Sequence, residues 1–385
     1  MLNFEFHNPT HIVFGKDTVP SLNRLVPHDA RVLILYGGQS AERNGTLAEV
    51  RQALGDRAWY EFGGIEPNPS FETLTRAVEQ VRTQNISFLL AVGGGSVIDG
   101  TKFVAAAAKY ADDPWRILET VGSVIEDALP FGAVLTLSAT GSEMNFNSVV
   151  TRKATQTKAF FASPHVFPKF SILDPTKTYT LPPQQLANGV VDAFTHVVEQ
   201  YLTYPVEARV QDRFAEGLLQ TLIEVGPKVV HEPADYDSRA SMMWAATMAL
   251  NGLIGAGVPQ DWATHLVGHE LTAQFGMDHA RTLAILLPSM LSIRRESKRA
   301  KLIQYAERVW HITTGSEDER IDQAIRKTRA FFESLGVKTR LSGYGIPADA
   351  IDGLVQQLQA HGMTQLGEHS DVTLEISRQV FEASI

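Results

Sequence analysis

The sequence contains no cysteine. Disulfides, thiolate nucleophiles, iron–sulfur clusters and Cys-ligated zinc are thereby excluded, so any metal must rest on His, Asp or Glu. Basic charge is also scarce: 43 Asp and Glu face 34 Lys and Arg in 385 residues, for a formal net charge of −9. A nucleic-acid surface needs clustered Lys and Arg, so no nucleic-acid partner is expected. No apolar run reaches the roughly 18–20 residues of a membrane span, and no membrane partner is expected either. The opening MLNFEFHNPTHIVFG lacks a basic start followed by an apolar stretch, which reads against a signal peptide and for a cytoplasmic enzyme. What is present is an ordinary globular composition, 44% hydrophobic and 20% charged, in a chain too long for one core.

The first half alternates strand-like and helix-like segments. Arg31–Tyr36 is a short apolar run ending at Gly37 and Gly38; Trp59–Phe62 is extended, and Phe71–Thr83 has helical spacing. Ser87–Val92 is a second apolar run, stopped by Gly93, Gly94 and Gly95 before an expected helix over Val97–Tyr110. Gly132–Leu137 is a third, running into a Thr/Ser/Gly turn. Such alternation with apolar strands predicts an α/β domain with a parallel, Rossmann-like sheet. Ligands of these sheets bind beyond the carboxyl ends of the strands, where the glycine turns fall. After Leu181-Pro182-Pro183 the pattern becomes helical throughout, so the expected division is an α/β dinucleotide-binding domain over 1–181 and an all-helical domain over 182–385.

Twelve histidines are thinly spread, but helices gather four of them. Asp192 and His196, in GVVDAFTHVVEQ, are four apart and share one face of an otherwise apolar helix. His265 and His269 repeat that spacing in DWATHLVGHELTAQFGMDHA, and His279 follows on the next segment. One carboxylate and several imidazoles from different helices suit a divalent ion, and are costly to bury without a purpose. Each pair taken alone reads equally as a structural hydrogen bond. Gly93-Gly94-Gly95-Ser96, between a strand and a helix, offers backbone N–H groups for a pyrophosphate. It also reads as a tight turn needing positive φ. Thr136, Thr140, Gly141 and Ser142 have hydroxyls or turn geometry for the same crevice.

GGGSVID at 93–99, TLSATGSE at 136–143, GVVDAFTHVVEQY at 189–201 and the H-x3-H-x9-H of 265–279 together resemble the iron-containing (group III) alcohol dehydrogenases. The likeness extends from FGK at 14–16 and IEPNP at 65–69 across the chain, and is greatest to the NADPH-dependent aldehyde reductase and butanol dehydrogenase branch. It implies a dehydroquinate-synthase-like fold and a single divalent metal, Fe2+ or Zn2+ with Ni2+ or Mn2+ also suitable, on Asp192, His196, His265 and His279. It implies a proton relay at His269. Cofactor contacts are implied at Gly94, Gly95, Ser96, Asp99, Asn68, Thr136, Leu137, Thr140 and Lys158. Members pair as homodimers through an N-terminal strand, which the run Ile12–Phe14 fits. Ser138 departs from the family's usual proline or small residue.

The implied reaction is hydride transfer between NADP(H) and short- to medium-chain aldehydes or primary alcohols. NAD-preferring relatives carry an aspartate where this chain has Gly37, and Gly37, Gly38 and Ser40 with nearby Arg43 suit a 2′-phosphate instead. The rivals are a lyase of the dehydroquinate-synthase type, an NAD-preferring polyol dehydrogenase of the same fold, and a non-catalytic binding module. The lyase needs several basic residues around its substrate, whereas 240–290 holds only Arg281. Trp244, Met248, Leu253, Ile254, Val258 and Trp262 are apolar residues close to the ligand helices that suit a substrate pocket or, individually, the core.

Overall fold

In the computed structural model, which describes residues 1–232 and 235–385, the chain forms two compact units. One is His7–Leu181; the other joins Met1–Phe6 to Pro182–Ile385. The first six residues therefore group with the helices rather than with the sheet that follows them.

The α/β unit holds a six-stranded, wholly parallel sheet. Its strands are β1 (His11–Phe14), β2 (Val32–Tyr36), β3 (Trp59–Phe62), β4 (Phe88–Gly93) and β5 (Phe131–Leu135), with β8 (Phe170–Leu173) completing it. The spatial order is β1-β8-β5-β4-β2-β3. The central strands β4, β5 and β8 are buried at every residue, as apolar runs covered on both faces must be. Helices α1 (Thr46–Leu54), α2 (Phe71–Thr83) and α3 (Gly95–Lys109) cover the sheet. In α2 the side chains of Leu74, Ala77, Val78 and Val81 form the buried stripe, and the Ser70 side chain caps its start by accepting the Thr73 N–H. Strands β6 (Asn147–Arg152) and β7 (Thr157–Ala162) form an antiparallel hairpin outside the main sheet. They bury Ser148 and Lys158 alongside Val150 and Phe161, so apolar residues do not mark the inner face and little periodicity can be read.

The second unit is built on α4 (Pro183–Tyr201), which is buried almost continuously from Leu186 to Tyr201. A helix buried on all faces forms the centre of its bundle. Around it lie α5 (Arg209–His231), α6 (Tyr236–Ala249), α7 (Ala263–Phe275) and α8 (His279–Ile293). The chain continues through α9 (Arg299–Arg308), α10 (Glu317–Ser334), α11 (Ile351–Ala360) and α12 (Leu374–Glu382). Phe194 of α4 packs on Phe331 and Phe332 of α10, ring centroids 5.3 and 5.5 Å apart. The unit is not all-helical: β9 (Gln365–Leu366) and β10 (Val372–Thr373) pair antiparallel in a short hairpin. Two-residue strands are too short to show alternation, which is why the helical reading passes over them.

Sterics within the protein explain the glycine run after β4. None of Gly93, Gly94 and Gly95 has positive φ, so the left-handed-turn reading of this segment is not what the backbone adopts. A Cβ at Gly93 would lie 2.5 Å from Val97 Cγ2, one at Gly94 3.0 Å from Leu137 Cβ, and one at Gly95 2.3 Å from Thr140 Oγ1. The β5 loop thus packs directly on the start of α3. We expect Gly95→Ala to cost about 1–3 kcal/mol of stability, the usual penalty for overpacking. Thr140→Ala should return part of that loss when added to Gly95→Ala. Denaturation midpoints of the parent, both single variants and the double variant check this, and purely additive effects would contradict it.

Candidate functional site

Helix α4 places Asp192, His196 and Glu199 at steps of four and three, on one face, and all three are buried. Helix α7 brings His265 and His269, one turn apart, and α8 opens with His279. Asp192 Oδ1 lies 3.6 Å from His196 Nε2 and 3.8 Å from the Nε2 atoms of both His265 and His279. Candidate ligand atoms of Asp192, His265 and His279 all fall within 4.8 Å of one another. The His196 ring stacks on that of His265 at 4.7 Å. Ligands about 2.1 Å from an ion at tetrahedral angles are about 3.4 Å apart, close to these separations. The distances are too long for hydrogen bonds, and His265 Nε2 is buried with no hydrogen-bond partner. A buried ring nitrogen without a hydrogen-bond partner, facing a carboxylate and two further imidazoles, fits a divalent cation.

The surroundings hold these side chains in place. The other ring nitrogen of His265, Nδ1, is hydrogen-bonded to Glu199 Oε2. Glu199 Oε1 accepts the Thr264 N–H at 2.7 Å, at the start of α7. Ahead of His279, Asp278 Oδ2 accepts from the side chains of Gln184 (3.1 Å) and Asn188 (3.0 Å), so α4 also steadies the entrance to α8. Trp262, half-buried, sets its ring edge-on to His265 and His196 at 5.5 and 6.2 Å, while its Nε1–H donates to Gln260. Of the other apolar residues near these helices, Ile254 is core and Trp244 is 40% exposed.

Electrostatics push the two stacked imidazoles in opposite directions. Burial, only partly offset by Asp192, drives His196 down to about 4. Burial opposes charge at His265 too, but there the Glu199 and Asp192 carboxylates outweigh it and hold the ring up at about 9. Burial raises Glu199, with His265 working against that rise. His269 stands apart from the cluster: it is buried on α7, with its ring 5.7 Å from that of His279.

In the α/β unit, the candidate nucleotide residues converge on one sheet edge. Tyr36 pairs with Val92, and Gly93 with Leu135, so the loops after β2, β4 and β5 leave side by side. Gly37, Gly38 and Ser40 lie on the first, Gly94, Gly95 and Ser96 on the second, and Thr136, Leu137 and Thr140 on the third. The chain's direction across the sheet reverses between β2 and β4, the position at which open α/β sheets bind ligands. Asn68, in the left-handed region at φ 54°, accepts from Lys158 Nζ of β7 at 3.1 Å, so two residues 90 apart in sequence meet.

Asp99 is used inside the fold. Its Oδ1 accepts from Ser142 Oγ at 2.6 Å and its Oδ2 from the Val149 N–H at 3.0 Å. Beside it the buried Lys102 donates to Ser142, Asn145 and the Asn147 carbonyl; burial pushes this amine down to about 8 against the pull of Asp99 and Glu143. Neither Glu199 nor Lys102 stands out in the sequence. Glu199 could have been found by extending the Asp192–His196 face one further turn, whereas nothing local distinguishes Lys102.

Residues 9–175 match the family description "Iron-containing alcohol dehydrogenase", and residues 186–375 match "Fe-containing alcohol dehydrogenase family, C-terminal". The chain is 62% identical to the NADPH-dependent aldehyde reductase YqhD of Escherichia coli (strain K12), with all of both chains covered. It is 41% identical, again over all of both chains, to the probable NADH-dependent butanol dehydrogenase 1 of Bacillus subtilis (strain 168). A crystal structure of E. coli K-12 YqhD superposes with a TM-score of 0.99 at 61% identity, covering 100% of this chain and 99% of that one. With both halves of the sequence and the whole fold in agreement, the chain belongs to the iron-containing alcohol dehydrogenase family.

Proposed function

We propose that this protein is a metal-dependent aldehyde reductase that uses NADPH to convert short- to medium-chain aldehydes into primary alcohols. The observation that carries the reading is the buried carboxylate oxygen of Asp192 within 3.8 Å of three imidazole nitrogens. Asp192, His196, His265 and His279 are the proposed ligands. Bound there, a divalent ion such as Fe2+ or Zn2+ supplies Lewis-acid polarisation of the substrate carbonyl, and NADPH supplies the hydride.

The chain's residues do the rest. Backbone N–H groups of Gly94, Gly95 and Ser96, at the start of α3, hold the pyrophosphate. Thr136, Leu137 and Thr140 wall that loop, and Asn68 with Lys158 contacts the cofactor from the β6–β7 side. Asp99 contributes by fixing the loop's shape through Ser142 and Val149. His269, one turn from His265, delivers the proton that the alcohol product requires. Trp262 forms an apolar wall beside the ligand imidazoles. The 2′-phosphate of NADPH belongs at Gly37, Gly38 and Ser40, with Arg43. Glu42 does not oppose it, because both its oxygens are held by Arg51 at 2.8 and 2.9 Å. The guanidinium of Arg43 has no ion pair among the described residues.

We also infer a homodimer and a cytoplasmic location. For the first, strand β1 lies at the sheet edge with only β8 beside it, and Met1, Leu2, Phe4 and Phe6 are exposed apolar residues. The second goes with a reaction that needs a reduced NADPH pool. No helix among the described residues is long and apolar enough to cross a membrane.

His265→Ala and His279→Ala should lose both bound metal and turnover while far-UV circular dichroism stays that of the parent; retained stoichiometric metal would contradict the ligand assignment. His269→Ala should keep its metal but lose about 10²–10⁴-fold in kcat and change the pH profile near neutrality. Loss of metal from that variant would make His269 a ligand instead. Cofactor choice is tested at the β2 loop. A side chain at Gly37 would meet the Ile65 carbonyl at 3.1 Å, whereas one at Gly38 meets nothing within 4 Å. Gly38→Asp should therefore shift the NADPH-to-NADH ratio of kcat/KM toward NADH by tenfold or more, and an unchanged ratio would contradict the 2′-phosphate placement.

A further inference from the structure

Glu199 lies outside the four proposed ligands, yet it is bonded to one of them, His265, through both that residue's ring and its main chain. It sits seven residues after Asp192 and three after His196 on the same face of α4, and is 3% exposed. One carboxylate oxygen, Oε2, is bonded to His265 Nδ1. The other, Oε1, accepts the backbone N–H groups of Thr264 at 2.7 Å and of His265 at 3.4 Å. Its own backbone carbonyl accepts the Asp261 N–H at 2.9 Å, just before α7 begins. One residue of the central helix thus anchors both the main chain and the imidazole of a residue on another helix.

We propose that Glu199 is the positioning residue of the metal centre, setting the tautomer and the aim of His265; this rests on the reading of Asp192, His196, His265 and His279 as ligands. An imidazole that binds an ion gives up one of its two protons, and the hydrogen bond made by the other nitrogen decides which one is kept. A carboxylate is acceptor-only, so the proton stays on Nδ1 and the lone pair is on Nε2, the atom that faces Asp192 at 3.8 Å. The two N–H groups on Oε1 hold the carboxylate plane, so ring direction is set as well as proton location. Glu199 touches neither substrate nor cofactor in this account, and acts through His265 alone.

Glutamine is the informative replacement, because it has the same shape but one acceptor oxygen. If that oxygen keeps the Thr264 and His265 N–H groups, the amide NH2 faces Nδ1 and drives the ring proton to Nε2. The reverse orientation sets NH2 against two backbone donors. Either way the site is mis-set. The experiment titrates metal-free parent, Glu199→Gln and His265→Ala with Co2+ against a competing chelator, reading the visible d–d bands for coordination geometry and circular dichroism for folding. We expect Glu199→Gln to bind Co2+ about 10–100-fold more weakly than the parent, with altered bands. His265→Ala should bind more weakly still.

Parental affinity and bands in Glu199→Gln, with binding lost in His265→Ala, would overturn the role of Glu199 alone. Parental binding in both variants would overturn the ligand assignment beneath it. If Glu199→Gln does not fold, the parent protein decides. Loaded with zinc and labelled with 15N-histidine, it should show a strongly downfield Nδ1–H proton that is missing from His265→Ala, and its absence from the parent would overturn the proposal.

Discussion

Two carboxylates stand on the most deeply buried helix of the molecule, and the surrounding bundle answers that constraint. An ionised carboxylate in an apolar interior is strongly disfavoured unless partners replace its water. Glu199 obtains them within the protein, from two main-chain N–H groups and an imidazole. Asp192 meets three imidazole nitrogens at 3.6–3.8 Å, a spacing that could hold a shared cation. The same face of α4 therefore carries one carboxylate bonded to the imidazole and main chain of α7 and one set among three imidazole nitrogens. Its other faces are free to make the aromatic core with Phe331 and Phe332, which fixes the helix that presents them.

The glycine run of the nucleotide unit illustrates how one sequence feature serves two demands. Read alone, three glycines suggest a backbone opened for phosphate or bent into positive φ. Their conformations are ordinary and the empty Cβ positions are claimed by Val97, Leu137 and Thr140. Close packing of the β5 loop on the start of α3 is the steric reason for them. Glycine is therefore required there by packing alone, whatever the loop binds.

Much of this was legible in the sequence. Apolar runs punctuated by glycine mark β2, β4 and β5, because a strand covered on both faces leaves no room for polar alternation. The four-residue spacings of Asp192 with His196 and of His265 with His269 are legible for the same reason as any helical face. What escaped has equally physical causes. Glu199 reads as an ordinary charge near a helix end until the fold brings His265 to it from 66 residues away. The β6–β7 hairpin buries Ser148 and Lys158, which hides its alternation, and β9 and β10 are too short for periodicity. Met1–Phe6 grouping with the helical unit is a tertiary fact with no local signature: the Leu2 N–H donates to the Gly257 carbonyl at 2.9 Å, and Phe4 packs where a side chain at Gly257 would lie.

Charge around the β2 loop shows why counting neighbours in sequence misleads. Glu42 follows Ser40 by two residues and would seem to repel a phosphate. In the fold its carboxylate is gripped by Arg51, which also pairs with Glu61 at 2.6 Å, and Glu61 in turn accepts from the Tyr36 hydroxyl at 3.3 Å. Two acids share one guanidinium there, leaving a deficit of one positive charge that Arg43 makes good a residue away. The charges of Glu42, Glu61, Arg51 and Arg43 thus sum to zero. An aspartate on that loop would tip this balance toward negative charge, which favours a ribose hydroxyl over a 2′-phosphate wherever the adenosine ribose lies beside it.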